Sequence, residues 1–207
     1  MKKMLYILTV TLILILTACA PKLVPVVSQS GTVEPESSII TKSKAGIEVS
    51  VQAGEWHYQP YSVNDYFTPF LFLIRNKTGE KVPIRYSNFV LFDEHGNQYE
   101  AIPPDGIEYM LVTRDNQGDT YPNPGIFYRF EETKPPYTFG YELPAYPYLR
   151  RPMSNITLLS IPETSLHPDS QVRGFVYFRK AISYGKKLRL RVELNGFVDD
   201  FEFEIKR

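Results

Sequence analysis

The chain has 207 residues, 43% of them hydrophobic and 14% aromatic, which is enough apolar material for a real core and excludes wholesale disorder. Lys and Arg number 23 and Asp and Glu number 23, so the basic excess that a non-specific nucleic-acid binder uses to displace counterions is missing, and DNA and RNA are excluded as expected partners. Seventeen Pro and twelve Gly suit strands and turns better than helices, since both residues break helices.

In chain order, Lys2 and Lys3 precede the apolar run Met4–Leu16, which ends in Thr17-Ala18-Cys19, the three regions of an export signal. The run falls short of the roughly 20 apolar residues that a membrane span needs. Leu16-Thr17-Ala18-Cys19 resembles the lipobox of bacterial lipoproteins. The resemblance implies a signal peptide over 1–18, cleavage before Cys19 and a diacylglyceryl (palmitate-class) lipid on its thiol, with a second acylation of the new amino group. An ordinary secreted protein cut near Ala18 or Ala20 is the alternative. Cys19 is the chain's single cysteine, so an intramolecular disulfide is impossible, and a bare thiol would be a liability in an oxidising compartment. Ala20, rather than Asp, after the Cys resembles the outer-membrane class of Gram-negative lipoproteins. The expected location is therefore the cell envelope, lipid-anchored at Cys19, and the outer membrane where the host is Gram-negative.

Residues 19–45 are rich in Ser, Thr, Pro, Lys and Glu, with only short apolar pairs, and read as a flexible tether. As a coil of about 26 residues it would reach roughly 28–30 Å. The alternative is that Leu23–Val27 forms an edge strand of the body. The domain proper is expected over 46–207, opening with the alternation Ile47-Glu48-Val49-Ser50-Val51. Phe67–Arg75 and Tyr86–Phe92 read as consecutive strands, stopped at Asn76-Lys77-Thr78-Gly79 and Asp93-Glu94-His95-Gly96-Asn97, where Gly and Asn supply the positive φ of tight turns. Further strands are expected at Phe127–Phe130, Ile156–Ser160, Val172–Phe178, Leu188–Leu194 and Phe201–Ile205. Leu188–Leu194 is the cleanest alternation, with Leu and Val facing a core and Arg and Glu facing solvent. Short strands, polar turns and no convincing helical period predict an all-β antiparallel sandwich. The strand ending Ile74-Arg75-Asn76, the strand ending Phe92-Asp93 before Gly96-Asn97-Gln98-Tyr99, and Gln171–Phe178 together resemble immunoglobulin-like domains of bacterial surface lipoproteins. That resemblance implies fold rather than chemistry. The Cys and Trp hallmarks of antibody domains are absent, since the Cys is in the lipobox and Trp56 lies early.

Little in the chain points to catalysis. His57, His95 and His167 are isolated in sequence, and no Gly-x-Ser-x-Gly elbow, phosphate loop or His-Glu-x-x-His helix occurs. No cofactor or metal is expected. Asp115–Asp119 lacks the acidic ladder of a calcium loop and reads as a solvated turn. Asn76-Lys77-Thr78 and Asn155-Ile156-Thr157 match the glycosylation sequon, a pattern short enough to recur by chance. Lys186, Lys187, Arg189 and Arg191 read as a charged sheet edge that discourages pairing.

The distinctive segment is an insertion over 121–152, where Tyr121–Tyr148 holds nine aromatic rings interleaved with Pro. Tyr121, Tyr128, Tyr137, Tyr141, Tyr146 and Tyr148 offer large, rigid, amphipathic contact area, and Pro lowers the entropy cost of presenting it. Two readings stand: a docking surface for a glycan, lipid, peptide or envelope protein, or an insertion whose rings pack onto the sandwich. The function expected is a non-catalytic binding or structural module of the envelope. A binder acting through the Tyr/Pro segment is the second reading, and a hydrolase with a dispersed site the third.

Overall fold

The computed structural model describes residues 22–26, 31–34, 38–54, 56–115, 154–182 and 185–206, with side chains described to 111 in the segment that ends at 115. Twelve strands fall within it: β1 (Lys22–Pro25), β2 (Thr32–Glu34), β3 (Ile39–Lys44), β4 (Ile47–Ala53), β5 (Phe67–Asn76), β6 (Val82–Ile84), β7 (Phe89–Asp93), β8 (Gln98–Glu100), β9 (Thr164–Leu166), β10 (Ser170–Arg179), β11 (Lys187–Leu194) and β12 (Phe197–Lys206). One sheet has the order β1-β12-β11-β7-β8, a second β10-β5-β4-β3-β2, and β6 pairs β9 alone. Every strand pair is antiparallel. The fold is an all-β antiparallel sandwich, as the alternation predicts.

The sheets meet over one core. Inward positions of β4 (Ile47, Val49, Val51), β5 (Phe70, Phe72, Ile74) and β10 (Val176, Phe178) pack with Phe89 and Leu91 of β7, Leu188, Leu190 and Val192 of β11, and Phe197, Phe201 and Phe203 of β12. Ring pairs bridge the layers, Phe70 with Phe203 at 5.2 Å and Phe72 with Phe89 at 4.8 Å between centroids. Lys42 of β3 is buried within the same packing, its Nζ donating to Asp199 Oδ1 at 2.6 Å and to the Asp200 carbonyl at 2.7 Å. A charge this enclosed is tolerable because those two acceptors replace water.

Several expectations are corrected. Residues 19–45, read as a tether, contribute β1, β2 and β3, so the body begins well before Ile47. The alternative edge strand near Leu23 is what forms: β1 pairs β12 with Leu23 opposite Ile205. Composition hid these strands because they bury so little, Leu23 in β1, Ile40 and Lys42 in β3 and no residue in β2, and leave a polar face outward. Pro25 is tolerated because an edge strand donates to one neighbour only.

Ile156–Ser160, expected as a strand, is helical through Leu159, and only Ser160 is extended, bridging Phe175. Helix α1 is a single turn at Val63–Tyr66, α2 spans Pro104–Asp115 and α3 spans Asn155–Leu159. Ser154 starts α3 by accepting the Thr157 N–H at 3.3 Å, an N-cap outside the apolar run. Helix α2 starts at Pro104, whose fixed φ and missing N–H suit a first helical position, and buries the narrow stripe Ile107 and Leu111. Two buried residues one turn apart make a weak period, so the sequence carries no clear helical signal there. Tyr86–Asn88 is a 3₁₀ turn rather than the start of a strand, because Asn88 Oδ1 accepts the Arg85 N–H at 2.7 Å.

The two expected turns form by different means. In the first, buried Asn76 accepts from Thr78 N at 2.9 Å and donates to the Glu80 and Leu166 carbonyls, so its sequon position serves the turn. In the second, Gly96 takes φ +82° as expected. Arg189 and Arg191 face outward, but β11 lies between β12 and β7 and is no edge. Both guanidinium groups instead sit over the Phe92 ring and reach Asp200.

Candidate functional site

The outer face of the second sheet carries the most unusual packing. On β10 the run Phe175-Val176-Tyr177-Phe178 is buried throughout, so the outward residues Phe175 and Tyr177 are covered as fully as the inward ones. Their cover is a second apolar cluster with Trp56, Val63, Phe67, Ile107, Leu111 and Ile156, supplied by the stretch from Trp56 to Phe67 and by helices α2 and α3. Trp56 is its hub, meeting Tyr58, Phe175 and Tyr177 edge-on at 5.1, 5.3 and 5.7 Å.

Polar groups lock this lobe in place. Asn64 accepts the Trp56 N–H at 2.9 Å and returns its amide to the Trp56 carbonyl at 2.7 Å, while Trp56 Nε1 donates to the Pro60 carbonyl at 3.0 Å. Lys180 donates to the Asn64 carbonyl, and Asn155 Nδ2 to the Gln59 carbonyl at 3.1 Å. Helix α3 is tied to α2 through Glu108, whose Oε1 accepts from the Ser154 hydroxyl and, at 2.6 Å, from Thr157 Oγ1. These bonds hold the start of α3 against the middle of α2.

The free edge of the second sheet is closed beneath this lobe. Ile102 N donates to the Tyr177 carbonyl at 2.8 Å and Ile161 N to the Phe175 carbonyl at 2.9 Å. The close crossing of 160–161 requires Gly174, since a Cβ there would lie 2.3 Å from Ile161 N and 2.5 Å from its Cα. Such coverage removes a template for strand addition at this edge.

Several large apolar side chains of the lobe remain exposed: Tyr58, Tyr61, Tyr66, Tyr109 and Leu158. Tyr177 is different, since burial pushes its phenol far up. Tyr86, bonded to the Ile161 carbonyl at 2.9 Å, is pushed up to about 12 by burial and by the nearby charges of Glu163 and Asp105. Both phenols stay protonated across the physiological range and serve packing rather than proton transfer.

Among the described residues Asp93 is the one buried carboxylate. Burial pushes it up, but bonds from Asn97 Nδ2 and N, the Tyr99 hydroxyl and the His95 N–H outweigh this and hold it below the ordinary range. It shapes the turn between β7 and β8. His57, His95 and His167 are all exposed, and among the described residues no group of three or more His, Cys, Asp or Glu could hold a metal ion. No described helix is long and apolar enough to cross a membrane.

Cys19 and Tyr121, Tyr128, Tyr137, Tyr141, Tyr146 and Tyr148 lie outside the described residues, as do the expected strand at 127–130 and the turn at 116–119. What alternation along the chain does not reveal is the covered outer face of β10. Its signal was present in the unbroken apolar run Phe175–Phe178, since a strand buried on both faces loses its alternation. No protein-family model, curated protein or solved structure matches the chain.

Proposed function

We propose that this chain is a lipid-anchored bacterial envelope lipoprotein, working as a non-catalytic binding or structural module. The observation that carries the reading is Leu16-Thr17-Ala18-Cys19 closing an apolar run of export-signal length. Stable anchoring needs two acyl chains or more, because one gives only marginal binding, and a diacylglyceryl group on Cys19 supplies two. In a Gram-negative host, Ala20 directs the anchor to the outer membrane. The decisive experiment is mass spectrometry of membrane-extracted protein, which should give a mature chain beginning at Cys19 with acyl mass added. Cys19→Ser should keep its signal or lose stable membrane association, and a soluble wild type with a free thiol would refute the anchor.

A second reading, favoured by the exposed Tyr58, Tyr61, Tyr66 and Tyr109 on the lobe from which 116–153 departs, assigns that side to an envelope glycan, lipid or peptide. Replacing Tyr137, Tyr141, Tyr146 and Tyr148 together by Ser should abolish ligand or partner capture and leave the melting temperature within a few degrees. A large loss of stability would instead identify the rings as packing.

A further inference from the structure

The end of the first sheet where β1 begins gathers lysines. Lys22 is the pairing partner of Lys206, Lys187 lies opposite Glu204 two positions earlier on β12, and Ile205 N donates to the Lys186 carbonyl at 2.7 Å. With strands about 4.8 Å apart and residues about 3.3 Å apart along them, Lys22, Lys186, Lys187 and Lys206 occupy one corner. All four are exposed. The carboxylates there are Glu204, half-buried, and Glu94, whose Oε2 accepts the Lys186 N–H at 3.1 Å and whose Oε1 lies 3.7 Å from His95 Nε2. Asp93, just before Glu94, is buried and hydrogen-bonded within its turn. Lysines therefore outnumber exposed carboxylates at this corner. An open depression of about 370 Å³ lies here, lined by Gly185, Lys186, Lys187, Glu204 and Ile205.

This corner is also where the anchor must leave. Only Ala20 and Pro21 separate Cys19 from Lys22, the first residue of β1. Three residue steps span at most about 11 Å, comparable with the roughly 8 Å over which an anionic surface potential decays at physiological salt. We infer that the body is seated directly on an anionic bilayer surface, with Lys22, Lys186, Lys187 and Lys206 facing the headgroups. The inference rests on the reading that Cys19 carries the lipid. It leaves the Asn195-Gly196 turn, at the opposite end of β12, roughly 30 Å further from the lipid.

The test uses the full lipidated protein in vesicles containing about a third phosphatidylglycerol, with one added thiol for a fluorescent donor and an acceptor in the headgroup layer. His95→Cys places the donor in the lysine corner, and Asn195→Cys places it at the far end; both positions are exposed. Transfer should be several-fold stronger from position 95 than from position 195. The difference should shrink in phosphatidylcholine vesicles, in high salt, and with Lys22→Glu, Lys186→Glu, Lys187→Glu and Lys206→Glu combined. Equal transfer from the two positions in acylated protein overturns the seating alone, and asymmetry indifferent to lipid charge and salt overturns the role of the lysines. A chain without acyl mass overturns the anchor and this inference with it.

Discussion

The sandwich core and the cluster around Trp56 are both apolar and rich in aromatic rings, yet they are built on different terms. Between the sheets, inward residues of regular strands meet one another, and the period of two along each strand dictates membership. Around Trp56, the outward residues of β10 are covered by a loop and helices whose own sequence period is weak. The comparison teaches that a sheet's second face becomes a core only when chain from elsewhere arrives to cover it. Such a cover is held by specific hydrogen bonds, here those of Asn64, Glu108 and Asn155, as much as by apolar area.

The sharpest break comes where the two cores join. Gly174→Val forces side-chain atoms into the Ile161 backbone, so the crossing must move. A loss of about 4 kcal/mol or more is expected, in the range where a single named clash is diagnostic. Urea unfolding of the variant measures it, and a loss below about 1 kcal/mol would show that the crossing can shift freely.

Next in size, Phe72→Ala and Trp56→Ala should each cost about 3–5 kcal/mol as large-to-small core changes. They should differ in what opens. Phe72 lies between the sheets and its loss should lower protection of all central strands together, whereas Trp56→Ala should raise amide exchange at 56–66, 104–111 and 154–160 while β11 and β12 keep theirs. Hydrogen exchange with mass spectrometry separates the two patterns. Uniform loss of protection in both variants would make the cores one cooperative unit.

A smaller effect, about 2 kcal/mol, is expected for Asp199→Ala, which removes the carboxylate that accepts from the buried Lys42 ammonium group and leaves the Asp200 carbonyl. Lys42→Met should recover part of that loss in the Asp199→Ala background, because it removes the stranded charge. A double-mutant cycle in urea checks both numbers.

The smallest effect is on pH dependence. Hydrogen bonds from Arg191, together with its charge and that of Arg189 and Lys42, hold the Asp200 carboxyl below its ordinary value. A folded value below the unfolded one means that the stabilisation is complete above about pH 4 and is lost as pH falls through the folded value. The urea midpoint should therefore be nearly flat from pH 7 to 5 and fall below pH 4. Arg191→Gln should lower the plateau by about 0.5 kcal/mol, since the pair is half-exposed, and make the acid fall shallower. An unchanged acid limb in the variant would shift the effect to other lowered carboxylates, Asp93 and Glu48.

The residues of β4, β5, β11 and β12 by themselves determined an antiparallel sandwich, because alternation is a local property that a strand buried on one face displays without its partners. The lipobox resemblance on which the proposed anchor rests is likewise carried by contiguous residues, Leu16–Cys19. The roles of Lys22–Pro25, Ile39–Lys44, Trp56 and Ile156–Ser160 were decided only by tertiary structure. A strand that buries one side chain resembles a linker until its partner strand is known, as Leu23 opposite Ile205 shows. Ile156 resembles a strand residue until Ser154 caps a helix and Glu108 receives its hydroxyl. The Lys22–Lys206 corner is equally invisible along the chain, since 184 positions separate residues that pairing of the first and last strands makes neighbours.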